Sequence, residues 1–206
     1  KAVRKICDEK GILLIADEVQ SGFGRTGKLF ASEYWKENGC APDIIATAKS
    51  IAGGVPLSAV IASKEVMDAV PGGTTGGTYG GNALACAAGL EVLKLMDEGG
   101  LVKRSQEIGK KVMAAFNEMK EKYEVVGDVR GLGAMIGVEF VKDKKTKEPN
   151  PEFVGKFIQE CAKNGLLVEN AGIYGNVIRF LAPLVITDAQ LDAGLEIYEN
   201  AIKACM

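Results

Sequence analysis

The sequence predicts an α/β protein in which residues 1–100 form one domain and residues 101–206 form a second. In the first domain, short apolar runs alternate with helical segments. The run Ile12–Ala16 is continuous, as in strands that are covered on both faces. This pattern predicts a mainly parallel sheet with helices. After Gly99 and Gly100 the sequence changes to a smaller alternating pattern of helices and strands, which predicts a C-terminal α+β domain.

The first domain opens on a segment that resembles the last turns of an amphipathic helix, and Gly11 ends it. Because this start has no initiator methionine, we expect the chain to begin in the middle of a longer protein. The further predicted elements are a strand at Ile12–Ala16, a glycine-rich loop at Ser21–Thr26, a helix at Leu29–Lys36, strands at Ile44–Ala46 and Val60–Ala62, a loop at Gly72–Gly81 and a helix at Asn82–Met96.

The second domain ends on a helix whose start is marked by Thr187 and, three residues later, Gln190, the pattern of a capping box. The elements predicted before it are a helix at Val102–Lys122, strands at Val125–Val129 and Ala134–Val141, a charged loop at Lys142–Pro149, a helix at Pro151–Asn164, and strands at Leu166–Glu169 and Val177–Phe180.

Composition excludes several classes of function. The 25 basic and 27 acidic residues are mixed along the chain, so no basic face for nucleic acid is expected. Five widely spaced cysteines, with no histidine in the sequence, predict no metal site and a reducing, cytoplasmic compartment. The apolar runs are far shorter than the roughly 20 residues that span a bilayer, so no membrane segment is expected.

Two charged residues stand at predicted strand ends, where ligands of α/β proteins usually bind. Asp17 follows the first strand and Lys49 follows the second. A lone lysine is more often an ordinary surface residue, and a lone acid often only turns the chain into solvent. Lys49 lies in a largely apolar stretch, however, and burial there would favour the uncharged, nucleophilic amine.

A glycine-rich segment supplies a third feature. Residues 76–81 precede a helix, and glycine amides at a helix start favour anions such as phosphate. Pyridoxal phosphate needs a lysine for its aldehyde, an acid for its ring nitrogen and amide donors for its phosphate. Asp17, Lys49 and this loop therefore predict a pyridoxal phosphate site.

The residues of three stretches, and the order of these stretches along the chain, resemble the signature of the class III aminotransferases. They are IADEVQSGFGRTG at 15–27, AKSIAGGVPL at 48–57 and GTYGGN at 77–82. Later segments, VRGLG at 129–133 and IRFLAPL at 178–184, are similar to the small domain of that family. The resemblance implies fold type I of the pyridoxal-phosphate-dependent transferases, with residues 1–100 as part of the large cofactor-binding domain and 101–206 as the small domain.

The resemblance also implies a role for each matched residue. Asp17 pairs with the pyridinium nitrogen, and Val19 packs on the cofactor ring. Gln20 approaches the ring hydroxyl. Lys49 forms the internal aldimine and then moves the proton between Cα and C4′. Thr78 binds the cofactor phosphate of the neighbouring subunit, because family active sites are shared across a homodimer.

Arg179 matches the family arginine that grips the α-carboxylate of glutamate or 2-oxoglutarate, and the alternative is a structural salt bridge at a strand end. For Arg25 and Glu18 a structural role is favoured. Family members are about twice as long, and their other half supplies a second phosphate loop, an aromatic residue on the cofactor and substrate-sorting residues. We therefore expect a partial large domain, and a piece that is inactive alone.

The leading hypothesis is an enzyme that transfers the amino group of an ω-amino acid, 4-aminobutyrate above all, to 2-oxoglutarate. An acetylornithine or ornithine aminotransferase is an alternative, as is a glutamate-1-semialdehyde aminomutase, which would need no separate acceptor. From other classes, a non-catalytic phosphate- or nucleotide-binding module would bind its ligand without Lys49, and an interaction or folding piece would bind none.

Overall fold

The first helix, α1 (Ala2–Lys10), ends at Gly11, whose left-handed backbone at φ 63° lets two amides turn back onto the last helical turn. The amide of Ile12 donates to the carbonyl oxygen of Cys7 at 2.9 Å. The computed structural model describes residues 1–74 and 76–206, so residue 75 of the predicted Gly72–Gly81 loop lies outside the described residues. The chain divides into two compact units, Lys1–Val102 and Lys103–Met206.

A three-stranded sheet organises the first unit, in the order β1-β2-β3. Its strands are β1 (Ile15–Asp17), β2 (Ile44–Thr47) and β3 (Ala59–Ala62). β1 and β2 are parallel, as predicted, whereas β3 is antiparallel to β2. The described sheet is therefore mixed, with one parallel pair. The helices of this unit after α1 are α2 (Glu33–Lys36), α3 (Lys64–Asp68) and α4 (Ala83–Asp97), with a 3-10 turn at Lys49–Ala52.

The apolar run before and within β1 is not buried on both faces, so that prediction is wrong. Ile12, Leu13 and Ile15 are 54%, 52% and 59% exposed, and only Ala16 is fully buried, at 1%. The described residues of this unit supply few elements to cover a three-stranded sheet. Its buried apolar side chains are accordingly few and mostly small.

The second unit is built on a four-stranded antiparallel sheet in the order β4-β5-β7-β6. An aromatic cluster forms its core. The Phe116 and Phe157 rings each lie 4.7 Å from the Tyr198 ring, and the Phe140 ring lies 5.4 Å from that of Phe157. The elements are α5 (Leu101–Lys122), β4 (Val126–Leu132), β5 (Met135–Phe140), α6 (Pro151–Lys163), β6 (Glu169–Ala171), β7 (Val177–Phe180) and α7 (Asp188–Cys205).

Local signals explain where the elements begin and end. The capping box that Thr187 and Gln190 form at the start of α7 is confirmed. The helix predicted from Leu29 starts only at Glu33, and the amides of Ala31 and Ser32 just before it donate to the Glu18 carboxylate. The strand predicted at Leu166 starts at Glu169, since the Leu166 amide still closes the preceding helix. No helix within residues 1–74 and 76–206 is long and apolar enough to cross a membrane.

Candidate active site

Asp17 and Lys49 lie at the same edge of the first sheet. Because β1 and β2 are parallel, their carboxyl ends coincide, and Asp17 is paired in register with Ala46. Lys49 follows three residues beyond Ala46. Both side chains are exposed. The structure thus places the two strand-end groups that the sequence singled out at one edge of the sheet.

The backbone of Lys49 is strained. Its φ of 50° places a residue other than glycine in the left-handed region, where it begins the 3-10 turn. Such a conformation costs on the order of 1–3 kcal/mol and persists only where the surroundings impose it, often at functional sites. The prediction that Lys49 is buried is wrong, because it stands on the turn beyond the strand end, which the described residues leave open.

Helix α4 supports the turn that carries Lys49. Gly89 is the point of contact, and a Cβ there would lie 3.3 Å from the Ile51 carbonyl oxygen and 3.2 Å from Leu57 Cδ2. A glycine therefore allows the turn to approach the helix closely. Nothing in the sequence apart from a glycine inside an apolar helix signals this contact.

Glu18 is the best-connected carboxylate of the unit, and it is buried at 2% exposure. Its Oε2 accepts from Ser21 Oγ at 2.5 Å and from the Ala31 amide at 3.0 Å, while its Oε1 accepts from the Ser32 amide at 2.6 Å. The contacts agree with the predicted structural role.

Val19 and Gln20 are half-buried on the turn after β1. The Val19 amide donates to Asp17 Oδ1 at 3.1 Å, so the turn is fastened to the carboxylate that precedes it. Val19 and Gln20 therefore lie at the same sheet edge as Asp17.

The glycine-rich loop is open to solvent. Thr78 and the neighbouring residues are exposed, and Gly81 has a φ of 69°. Asn82 caps α4, since its Oδ1 accepts from the Ala85 amide at 3.1 Å. The predicted loop followed by a helix is confirmed, with Asn82 as the cap instead of the first helical residue, whereas the role of Thr78 stays a prediction.

Arg179 belongs to the second unit. It lies on β7 opposite Glu169, and its Nη2 is 2.8 Å from Glu169 Oε2. Its Nε is buried and finds no hydrogen-bond acceptor among the described residues. An apolar cavity of about 410 Å³ adjoins this pair, lined also by Leu166, Phe180 and Ile186.

Two buried threonine hydroxyls and one partly buried arginine are further polar groups of the first unit. Thr26 Oγ1 and Thr47 Oγ1 have no hydrogen-bond partner in the described part of the chain. Burial lowers the pKa of Arg25. Thr47 is the last residue of β2, two residues before Lys49. Its residue type alone does not predict a buried, unpaired hydroxyl at this position.

The chemistry of these groups fits a pyridoxal-type cofactor. The carboxylate of Asp17 and the amine of Lys49 are both accessible at one strand edge, and within the described residues the Lys49 amine makes no hydrogen bond or ion pair. An acid for a ring nitrogen and an amine for an aldehyde are therefore available together.

Comparison with known proteins gives a consistent result. The profile of the family described as aminotransferase class-III matches residues 1–202. The chain is 49% identical over 200 residues to a 5-aminovalerate aminotransferase of Pseudomonas putida, which covers 97% of this chain and 46% of that protein. It is 48% identical over 195 residues to a 4-aminobutyrate aminotransferase of Escherichia coli K12, covering 95% of this chain and 45% of that protein.

A solved structure agrees. The amine transaminase of an uncultivated Pseudomonas species in its PLP-bound form superposes with a TM-score of 0.88 at 35% identity, over 99% of this chain and 47% of that one. The likeness confirms the predicted α/β fold. The chain spans about half the length of these relatives.

Proposed function

Because the chain belongs to the class III aminotransferases, we propose that it carries the lysine-bearing part of an enzyme that transfers the amino group of an ω-amino acid to 2-oxoglutarate. The observation that carries the proposal is the placement of Asp17 and Lys49 at the carboxyl ends of adjacent parallel strands. We propose 4-aminobutyrate as the donor. Because one relative is named for 5-aminovalerate, that longer homologue is the competing donor to compare.

Pyridoxal phosphate, when bound, would supply a ring that takes up the electrons of a breaking Cα–H bond. Asp17 would keep a proton on the ring nitrogen, since an adjacent carboxylate favours the charged form. Lys49 would hold the cofactor through its amine and carry the proton between two carbon atoms. Val19 would pack on the ring and Gln20 would contact its hydroxyl.

Arg179 would bind the substrate carboxylate. In support, its side chain is 28% exposed, and the guanidinium is held on the strand by an ion pair from Nη2 to Glu169 at 2.8 Å. Glu169 is 78% exposed at its side chain, and an exposed ion pair contributes little stability. Replacing the Glu169 carboxylate by a substrate carboxylate would therefore cost little free energy.

We further propose that residues 1–100 are part of a large cofactor-binding domain and 101–206 are a small domain. The active unit would be a cytoplasmic homodimer with a shared site, in which Thr78 binds the phosphate of the neighbouring subunit. Exposed apolar side chains on α4, among them Leu84 at 72% and Leu90 at 62%, support association. Since the relatives are about twice as long, we expect this chain alone to hold the cofactor without completing turnover.

The test is to mix the chain with pyridoxal phosphate, reduce with borohydride and map the labelled peptides by mass. We expect a stable adduct on Lys49 at cofactor concentrations that leave Lys10 unlabelled. Lys10 is a matched control, because it is exposed, belongs to the same unit and, like Lys49, makes no ion pair within the described residues. Lys49→Ala should abolish the adduct. Equal labelling of the two lysines, or none on Lys49, would refute cofactor binding by this chain.

The substrate class is tested on the cofactor adduct. 4-Aminobutyrate added to the loaded chain before reduction should prevent trapping on Lys49, because the amino donor displaces the lysine. If neither 4-aminobutyrate nor 5-aminovalerate protects Lys49 while ornithine does, the proposed donor class is wrong.

A further inference from the structure

We propose that Glu18 is a positioning residue of the Lys49 site, which fixes the turn that presents Asp17, Val19 and Gln20. The inference rests on the proposed function, because it assigns a supporting role to a residue that touches neither cofactor nor substrate. It differs from a general structural role in predicting a local effect on one turn.

Glu18 lies between two residues of that site. Asp17 precedes it, and the amide of Val19 just after it bonds back to the Asp17 carboxylate at 3.1 Å. Asp17 is exposed at the strand edge, whereas Glu18 is buried. Successive side chains of a strand point to opposite faces, so the Asp17 carboxylate faces solvent when that of Glu18 faces inward. Contacts that hold Glu18 in place therefore also orient Asp17.

The backbone of Glu18 is held on both sides. Its amide donates to the Ala46 carbonyl oxygen at 2.8 Å, which ties it to β2, the strand that leads to Lys49. Its carbonyl oxygen accepts from the Gly22 amide at 3.0 Å. A Cβ on Gly22 would come within 2.8 Å of that oxygen, so only glycine permits this tight turn.

The side chain reaches a distant part of the sequence. Its two oxygens accept from Ser21 Oγ and from the amides of Ala31 and Ser32, 13 and 14 residues along the chain. Bonds to a buried carboxylate are among the stronger ones in proteins. Glu18 therefore ties the segment at Ala31 and Ser32, and Ser21 of the turn, to the end of β1.

Glu18→Gln is the sharpest perturbation. Glutamine has the same shape but only one acceptor oxygen, while the two amides approach different oxygens of Glu18. Whichever way the glutamine amide is placed, one backbone N–H faces an NH₂ group and loses its acceptor.

Glu33→Gln is the matched control. Glu33 lies in the same region, and within the described residues its carboxylate accepts one hydrogen bond, from the Phe30 amide to Oε1 at 2.8 Å. A glutamine oxygen can keep that bond, so the same loss of charge should have little effect there.

The first measurement is residue-resolved amide hydrogen exchange on the 206-residue chain. In Glu18→Gln we expect the amides of Ala31, Ser32, Val19 and Gly22 to exchange roughly 10- to 100-fold faster, the size of effect typical of a lost bond to a charged group. The amide of Val138, in the second unit, should not change. In Glu33→Gln none of these amides should change.

The result that overturns the proposal is specific. If Ala31 and Ser32 exchange faster while Val19 and Gly22 do not, Glu18 supports the loop without positioning the turn. If Val138 exchanges faster as well, the effect is general destabilisation. Should Glu18→Gln fail to fold, Ser21→Ala removes a single donor, and the same pattern at Gly22 and Val19 is expected with a smaller amplitude; no change at these amides would refute the proposal.

The second measurement is borohydride trapping on Lys49. Glu18→Gln should raise the pyridoxal phosphate concentration for half-labelling by roughly 10-fold or more, whereas Glu33→Gln should leave it unchanged. Unchanged labelling in Glu18→Gln would refute a role at the site. Absence of any adduct on the unaltered chain would instead refute the proposed function, and the exchange measurement would still decide the role of Glu18.

Discussion

Replacement of Gly109 by alanine should destabilise the second unit, although glycine is ordinarily the weaker residue inside a helix. Gly109 is buried in the middle of α5, where it meets the hairpin turn between β4 and β5. A Cβ there would lie 2.1 Å from the Gly133 carbonyl oxygen and 2.5 Å from its carbonyl carbon. One turn earlier, Ser105 Oγ accepts from the Ala134 amide at 3.2 Å and fixes the same hairpin.

Two opposing effects determine how much Gly109→Ala changes the free energy of unfolding. Alanine in place of glycine stabilises a helix by roughly 0.5–1 kcal/mol. Overpacking typically costs about 1–3 kcal/mol, and here the obstacle is backbone, which would have to move by about 1 Å or more to reach an ordinary contact distance. The clash should win, with a net loss of about 1–2 kcal/mol in the free energy of unfolding of this unit.

Gly155→Ala provides the matched control. Gly155 also lies inside a helix, α6, but it is exposed and a Cβ there would meet nothing within 4 Å. The same substitution should therefore stabilise the unit by roughly 0.5–1 kcal/mol.

The assay is amide exchange of Ile136 and Val138 on β5, the strand that lies between β4 and β7. Gly109→Ala should speed their exchange roughly 5- to 30-fold, and Gly155→Ala should slow it roughly 2- to 5-fold. If both substitutions slow exchange, the close approach of α5 to the Gly133 turn does not constrain the unit and the reasoning fails.

Two further predictions concern α7 and its neighbours. Thr187→Ala removes the capping box and should lower the free energy of unfolding by about 1 kcal/mol in urea denaturation; an unchanged midpoint would contradict it. The Tyr123 hydroxyl donates to Glu199 Oε1 at 2.7 Å and lowers the pKa of Glu199, so Tyr123→Phe should raise that pKa in an NMR titration. Because the pKa of Glu199 in the folded protein lies below the usual 4.5, this bond stabilises the fold above about pH 4.5. The stabilisation is lost as the pH falls through the folded pKa. The difference in free energy of unfolding between Tyr123→Phe and the parent should therefore shrink over that range.

The sequence predicts most of what depends on neighbours along the chain. Gly11 as a helix stop and the capping box at Thr187 act within a few residues, and the structure confirms both. The parallel pairing that places Asp17 beside the strand leading to Lys49 was also foreseen, because apolar runs and their ends locate strands.

What depends on distant parts of the chain was missed. The partners of Glu18 are amides 13 and 14 residues away, which no local pattern announces. The burial predicted for Ile15 and Lys49 failed for a related reason, since apolar neighbours in sequence do not supply a cover in space. Gly89 and Gly109 are ordinary helix glycines until the elements they touch are known.

The two units differ in how much of their apolar surface they enclose, and this bears on the candidate site. The second unit surrounds an aromatic cluster, whereas on α4 of the first unit only Ala85 and Gly89 are buried, although most of its residues are apolar. A helix that is apolar around most of its circumference is ordinarily covered by protein. The turn bearing Lys49 rests on this helix at Gly89, and its strained backbone needs firm surroundings to persist. The proposed dimer and large domain would supply that cover, so the geometry of Lys49 depends on association as well as on its own turn.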